Sequence, residues 1–394
     1  MSWKKKRIRE RRVYKRKCRR YLKAQKKNRN KGHFRRNATI FPIHKNEHIY
    51  VMQEGRPNFI CPQGMKNFPK HALVLTLPKI MDFDEDYKSA ATVIGIFRRA
   101  LIHRCRIGYI DFSHMKRISP ACLTVFSCYA DLWKMTQPKV TPWTHTWMPN
   151  IIEAFRQIGF FGALGFSDAM LPPREKTDSI RYMGLKNFEL NSFNTSLGEE
   201  VKGIREQIEA FVGKKFNRQT MFASVTEAIQ NIKDHAYTRE PVNNLKRKWW
   251  LSVSHDLSTN IVHIIIFDRG LGIPTTMLES SKFSDLRRLI YKTFGSWSQK
   301  DRLRLAFERY RNPGLYAKAV PIFQGRGRGC QDLLQLVDAE MQGECEMTGT
   351  LSVISQKARY EYKTEFQTSP GKVKSEKLSL EGTLLEWRLK LNGD

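Results

Sequence analysis

The chain has 394 residues, long for one ordinary domain and enough for two, each able to bury its own core. A hydrophobic share of 41% is that of a folded protein. The densest apolar run, Ile261 to Phe267, is far too short to cross a bilayer, which argues against a membrane-spanning receptor. The formal charge of +31 is unevenly spread, and more than half of the excess lies in the first 36 residues, where Glu10 is the only acid.

That tail, within residues 1–45, has no Pro or Gly before Gly32, and Tyr14, Cys18, Tyr21 and Leu22 recur at near-helical spacing. Three readings stay open for it: a solvated extension, a nucleic-acid contact through residues 1–36, or docking on a membrane or protein. No apolar stretch follows it as a secretory signal requires, so a cytoplasmic protein is expected. Cys18, Cys61, Cys105, Cys122, Cys128, Cys330 and Cys345 are odd in number and contain no Cys-x-x-Cys pair. They predict reduced, mostly buried thiols in place of a disulfide framework or a zinc ribbon.

Residues 46–70 carry Pro57, Pro62 and Pro69 and read as a connector with one short strand. From 71 to 166 the pattern alternates. HALVLTLP and RIGYIDF read as strands, Tyr87 to Arg104 and Ala121 to Lys134 as helices, with another strand near Lys139 to Thr141 and a helix over Asn150 to Ile158. Residues 167–195, with Pro172 and Pro173, are expected to be an interdomain linker. The remainder, 196–394, predicts a long helix, a strand pair, a glycine-rich segment opening a helix, and two late strands.

Within the last part, MFASVTEAIQNIKDHAY (221–237) places Val225, Ile229, Ile232 and Ala236 on an apolar stripe. Glu227, Asn231 and His235 then line another face of the same helix. An amide oxygen there suits Mg²⁺, and a carboxylate one turn away can polarise a nucleophile; a solvated polar face is the plain alternative. Asp268 ends the strand of NIVHIIIFDRGLGIP, where a buried carboxylate can accept the exocyclic amine of adenine, and Gly270 and Gly272 would admit the base without a Cβ clash. His263, inside that strand, reads as packed and not as a ligand. In QGRGRGCQDLLQLV, Gly325, Gly327 and Gly329 precede a helix and offer backbone N–H groups to phosphates, with Arg326 and Arg328 interleaved. Gly382 and Thr383 open the last strand.

In this order, the four segments resemble the N, G1, G2 and G3 boxes of the GHKL (histidine-kinase-like, Bergerat-fold) ATPase superfamily. The helix EAIQNIKDHAY is similar to that of the bacterial anti-sigma-factor serine kinases. The resemblance implies Glu227 as catalytic base, Asn231 as Mg²⁺ ligand, Asp268 as adenine reader and Thr383 as its support. It also implies His235, Gly270, Gly272, Gly325, Gly327 and Gly329 around the nucleotide, and a mobile lid between Pro274 and Gln324. Ile232 departs from the small residue usual after the Asn. Residues 108–126, GYIDFSHMKRISPACLTVF, look like the STAS domain of anti-sigma-factor antagonists. That family's Asp-Ser-Ser-Gly loop aligns with Ser119, Pro120, Ala121 and Cys122, so the phospho-acceptor position is Ala121, without a hydroxyl, and Ser119 reads as a helix N-cap.

The expected fold class is therefore α/β: a basic tail, a STAS-like β/α domain, and a GHKL-type two-layer α/β sandwich. The implied function is an ATP- and Mg²⁺-dependent regulatory switch with serine kinase or slow ATPase activity. Its partners would be a regulatory protein and, as a further option, a second copy of the chain. The alternative is a nucleic-acid-binding protein whose nucleotide domain controls assembly.

Overall fold

The computed structural model describes residues 39–40, 49–51, 73–102, 107–136, 147–164, 168–174, 179–189, 196–237, 247–279, 298–308, 329–338, 348–364 and 371–391. Residues 1–38 of the basic tail, the strand expected near 139–141, Gly325, Gly327 and most of the expected lid lie outside them.

The N-terminal part holds β1 (Thr39–Ile40), β2 (Ile49–Val51), β3 (Leu73–Thr76), β4 (Ile80–Met81), α1 (Tyr87–Ile102), β5 (Ile107–Asp111), β6 (Arg117–Ile118), α2 (Pro120–Thr136), α3 (Pro149–Gln157) and the short α4 (Phe160–Ala163). Strands β1, β2 and β3 pair antiparallel, and β5 adds to β3 in parallel across the α1 crossover. Pro120 begins α2 without cost because the first helical N–H has no intrahelical partner, and Ser119 Oγ accepts from Cys122 N at 3.4 Å, as the N-cap expectation required.

The C-terminal part continues with β7 (Ile180–Glu189), α5 (Leu197–Val212), α6 (Arg218–Asn231), β8 (Lys248–Asp256), β9 (Ile261–Asp268), α7 (Ile273–Glu279), α8 (Gln299–Glu308), α9 (Asp332–Asp338), β10 (Thr348–Lys363) and β11 (Lys372–Lys390). Its sheet is five-stranded and antiparallel throughout, in the order β10-β11-β9-β8-β7. Residues 180–189, expected in a linker, are thus the edge strand β7, registered on β8 from Ile180 opposite Asp256 to Glu189 opposite Lys248.

The sheet is covered on both faces. Trp249, Leu251, Val253, Val262, Ile264, Ile266, Leu385 and Trp387 pack with α5, α6, α8 and α9. Trp250, Ile265, Phe267, Ile354 and Leu384, which point the other way, share a core with α1, α2, α3 and α4. The expected two-layer sandwich is therefore completed to three layers by the N-terminal helices. This explains why β8 and β9 are buried along nearly their whole length, since a strand wetted on one face would alternate between buried and exposed residues. Ala121 and Cys122 are buried in that shared core.

An ion-pair cluster ties the turn before α1 to the sheet. Arg359 Nη1 donates to the Phe83 carbonyl at 2.9 Å, its other nitrogen pairs with Asp84, and Arg388 Nη1 reaches Asp84 Oδ2 at 2.5 Å. Burial opposes ionisation of Asp84, but the Arg388 and Arg359 guanidiniums outweigh it and hold the carboxyl below its ordinary range. Among the described residues, Cys122, Cys128 and Cys330 are free buried thiols, as the cysteine count predicted.

Candidate functional site

Asp268 closes β9, the central strand, and stands between two neighbours: Thr383 of β11 and Trp249 of β8 are its direct cross-strand partners. Its carboxyl is buried, and Oδ1 accepts from the Gly270 N–H at 2.6 Å. Burial pushes the carboxyl up to about 7, against the hydrogen bonds of Gly270 and Thr383, while the Glu381 carboxylate pushes in the same direction as burial. The Thr383 hydroxyl also meets Ser355 Oγ at 3.0 Å, and that Oγ receives the Ile273 N–H at 3.0 Å.

The turn after Asp268 is packed against the end of α6. A Cβ at Gly270 would lie 2.3 Å from the Ala236 carbonyl oxygen, so this glycine serves a close approach of two chain segments. On β11, Gly382 takes φ +78, and a Cβ there would lie 1.9 Å from the Asp268 carbonyl oxygen. Gly272, also at positive φ, lets Leu271 N donate to Ala236 O at 2.8 Å while the chain turns into α7.

The helix read as continuous over 221–237 is α-helical only to Asn231; Ile232–Ala236 form one π turn. Widening that turn keeps Ile232 and Ala236 in the core and presents the Ala236 carbonyl to Leu271. His235 lies within this π turn, and such turns recur at functional sites. Glu227 and Asn231 remain one turn apart and half-buried, and Asn231 Nδ2 donates to Glu227 Oε1 at 2.7 Å. With its nitrogen committed, the Asn231 amide has its oxygen to offer a ligand.

Asn217 caps α6, its Oδ1 accepting from Gln219 N and Thr220 N at 3.0 and 3.2 Å. Ser224, buried one turn before Glu227 on α6, donates to the Asp332 carbonyl at 2.7 Å and accepts from Leu336 N at 3.1 Å. That pair locks α9 onto α6 and holds the turn Gly329–Gln331, which opens α9, beside the helix. Gly329 is so placed; Gly325 and Gly327 fall outside the described residues.

Tyr237, given no role by the sequence, links these parts: its hydroxyl donates to the Lys248 carbonyl and accepts from Arg269 N at 3.0 Å. Gln356 is a second such residue. At φ +57 in a β-bulge, its side chain bonds the Leu271 carbonyl and Thr275 Oγ1 at 2.6 Å, and accepts from Gln299 Nε2 at 2.5 Å. Nothing in the local sequence marks Gln356, because its partners come from the turn after β9, α7 and α8.

Among the described residues, no cluster of three or more His, Cys, Asp or Glu side chains could enclose a metal. The donor set at Glu227 and Asn231, one carboxylate and one amide oxygen, fits a Mg²⁺ held mainly by phosphates and water. No described helix is long and apolar enough to cross a membrane. His263 pairs through Nδ1 with Glu386 Oε1 at 2.9 Å, agreeing with its reading as a packed residue. Comparison of the chain with protein-family models, with curated proteins and with solved structures finds no match to any of them.

Proposed function

We propose that the five-stranded sheet with α5 to α9 is a GHKL-type domain that binds ATP with Mg²⁺ as a regulatory switch. The N-terminal STAS-like unit is its resident interaction module. The observation that carries the reading is the buried Asp268 carboxyl at the end of the central strand, directly opposite Thr383. A buried carboxyl without a cationic partner is costly, and an amine donor from adenine would satisfy it.

Asn231 would hold Mg²⁺ through its amide oxygen, and the bound metal would neutralise charge on the phosphates. Glu227, aligned by the Asn231 amide, would take the proton of an attacking hydroxyl or water. Tyr237 and the π turn keep the end of α6 against the Asp268 turn.

The N-terminal unit would act by contact and not as a phosphorylated switch. Ala121 carries no acceptor, its surroundings are the shared core, and the Ser119 hydroxyl is engaged at the start of α2. Free buried thiols suit the reducing cytoplasm. Helices α1 and α2 contact the sheet face opposite α6.

Calorimetric titration of the full chain with ATP and GTP, with and without Mg²⁺, tests the binding. Incubation with γ-labelled ATP tests the chemistry. Label on protein means kinase, label in free phosphate means ATPase, and binding alone means a switch. A folded chain without preference for adenine overturns the reading.

A further inference from the structure

We infer that Glu381 is a positioning residue through which the N-terminal helices set base discrimination at the Asp268 site; the inference rests on the nucleotide reading above. Glu381 lies on β11 directly before Gly382 and Thr383, yet its side chain is held by the N-terminal layer. Arg98 of α1 grips both carboxylate oxygens, Nη2 to Oε1 at 2.7 Å and Nε to Oε2 at 2.5 Å. Tyr129 of α2 donates to Oε2 at 3.4 Å. Arg269, the residue after Asp268, brings Nε within 3.8 Å of the same oxygen, and its guanidinium lies over the Tyr129 ring, 5.6 Å from the centroid.

Two segments shape the surroundings of Asp268: Arg269–Gly270 leaving β9, and Gly382–Thr383, which lie in the interior of β11 and not at its opening as expected. One carboxylate, clamped side-on by Arg98, is anchored to both. The same helix α2 also reaches the other neighbour of β9. Asp131 Oδ2 lies 3.3 Å from Lys248 Nζ, and the Lys248 carbonyl receives the Tyr237 hydroxyl that holds Arg269 N. Glu381, Arg98, Tyr129 and Asp131 therefore bear on Asp268 from the face opposite α6, without any of them belonging to the predicted phosphate or metal side of the site. The Glu381 side chain is only 22% exposed and that of Arg269 9%, so neither pair is a loose surface contact.

A merely structural ion pair would weaken all nucleotides alike when broken, whereas a positioning pair would blunt the preference for adenine. Full-length protein is titrated calorimetrically with Mg·ATP and Mg·GTP in the wild type, Glu381→Gln, Arg98→Ala and the double variant. Arg98→Lys, which keeps the charge but not the two-toothed grip, replaces Arg98→Ala should that variant not fold. The ratio of ATP to GTP affinity is expected to fall about tenfold in each single variant and no further in the double variant. Unchanged ratios, equal losses for both nucleotides, or additive losses overturn the inference while leaving the nucleotide reading intact. A wild type without adenine preference overturns both.

Discussion

Asp268 and Thr383 face each other across β9 and β11, although they lie in distant parts of the chain. Burial raises the Asp268 carboxyl to about 7, so ionisation and ligand binding are coupled there. An adenine amine donates and requires the ionised acceptor. Adenine-nucleotide affinity should therefore rise as pH increases through about 7, with proton release in calorimetry carried out in buffers of different ionisation enthalpy. Affinity flat across that range would count against Asp268 as the acceptor.

Asp268→Asn should lower ATP affinity by roughly tenfold to a hundredfold and leave GTP unchanged. The same variant also reports on stability. A carboxyl whose folded pKa is raised contributes stability fully present below about pH 4 and lost as pH rises through about 7. The variant should gain on the wild type by several kcal/mol, on the order of 4, between those limits. Chemical denaturation at the two ends measures the difference, and a constant offset would contradict it.

Asn231→Ala should leave the fold intact, because the residue is half-buried and its contact is with Glu227, while Mg²⁺-dependent ATP binding drops by about a hundredfold. Glu227→Gln keeps the shape and should retain binding but lose about 10² to 10⁴ in any hydrolysis or transfer. Equal turnover in Glu227→Gln and wild type would remove Glu227 from the chemistry.

Gln356 ties the residues before and after 280–297 to one bulge through Leu271, Thr275 and Gln299. Asn tolerates positive φ, so Gln356→Asn shortens the side chain without adding backbone strain. Nucleotide release should quicken by roughly tenfold with little change in melting temperature, and amide exchange in α7 should accelerate. Slower release or unchanged exchange would show that the bonds do not restrain α7.

Asp84 bridges Arg359 and Arg388 and fastens the turn before α1 to the sheet. With a depressed pKa, its contribution is present above the ordinary carboxylate range and lost as pH falls through and below about 4. The side chain is 38% exposed, so solvent screening keeps the effect modest: Asp84→Ala should cost about 1–2 kcal/mol at neutral pH and nothing in acid. An equal loss at both pH values would point to packing, not charge.

Local periodicity determined much of this chain. The apolar stripe of α6, the runs of β8 and β9, the α1 and α2 helices and the N-cap at Ser119 follow from spacing and residue type, because short-range hydrogen bonding and one-sided burial impose them. Glu227 and Asn231 were legible as neighbours for the same reason: one helical turn separates them. Other features needed the tertiary structure. The π turn at Ile232–Ala236 answers to Leu271 and Gly270, and β7 is a strand only because β8 offers it an edge. The third layer forms because the N-terminal helices find apolar side chains on the far face of the sheet. The opposition of Asp268 and Thr383, and the convergence of Arg98, Tyr129 and Arg269 on Glu381, join residues whose local sequences carry no trace of one another. Contacts of that range are decided by sheet register and packing, which no window of sequence contains.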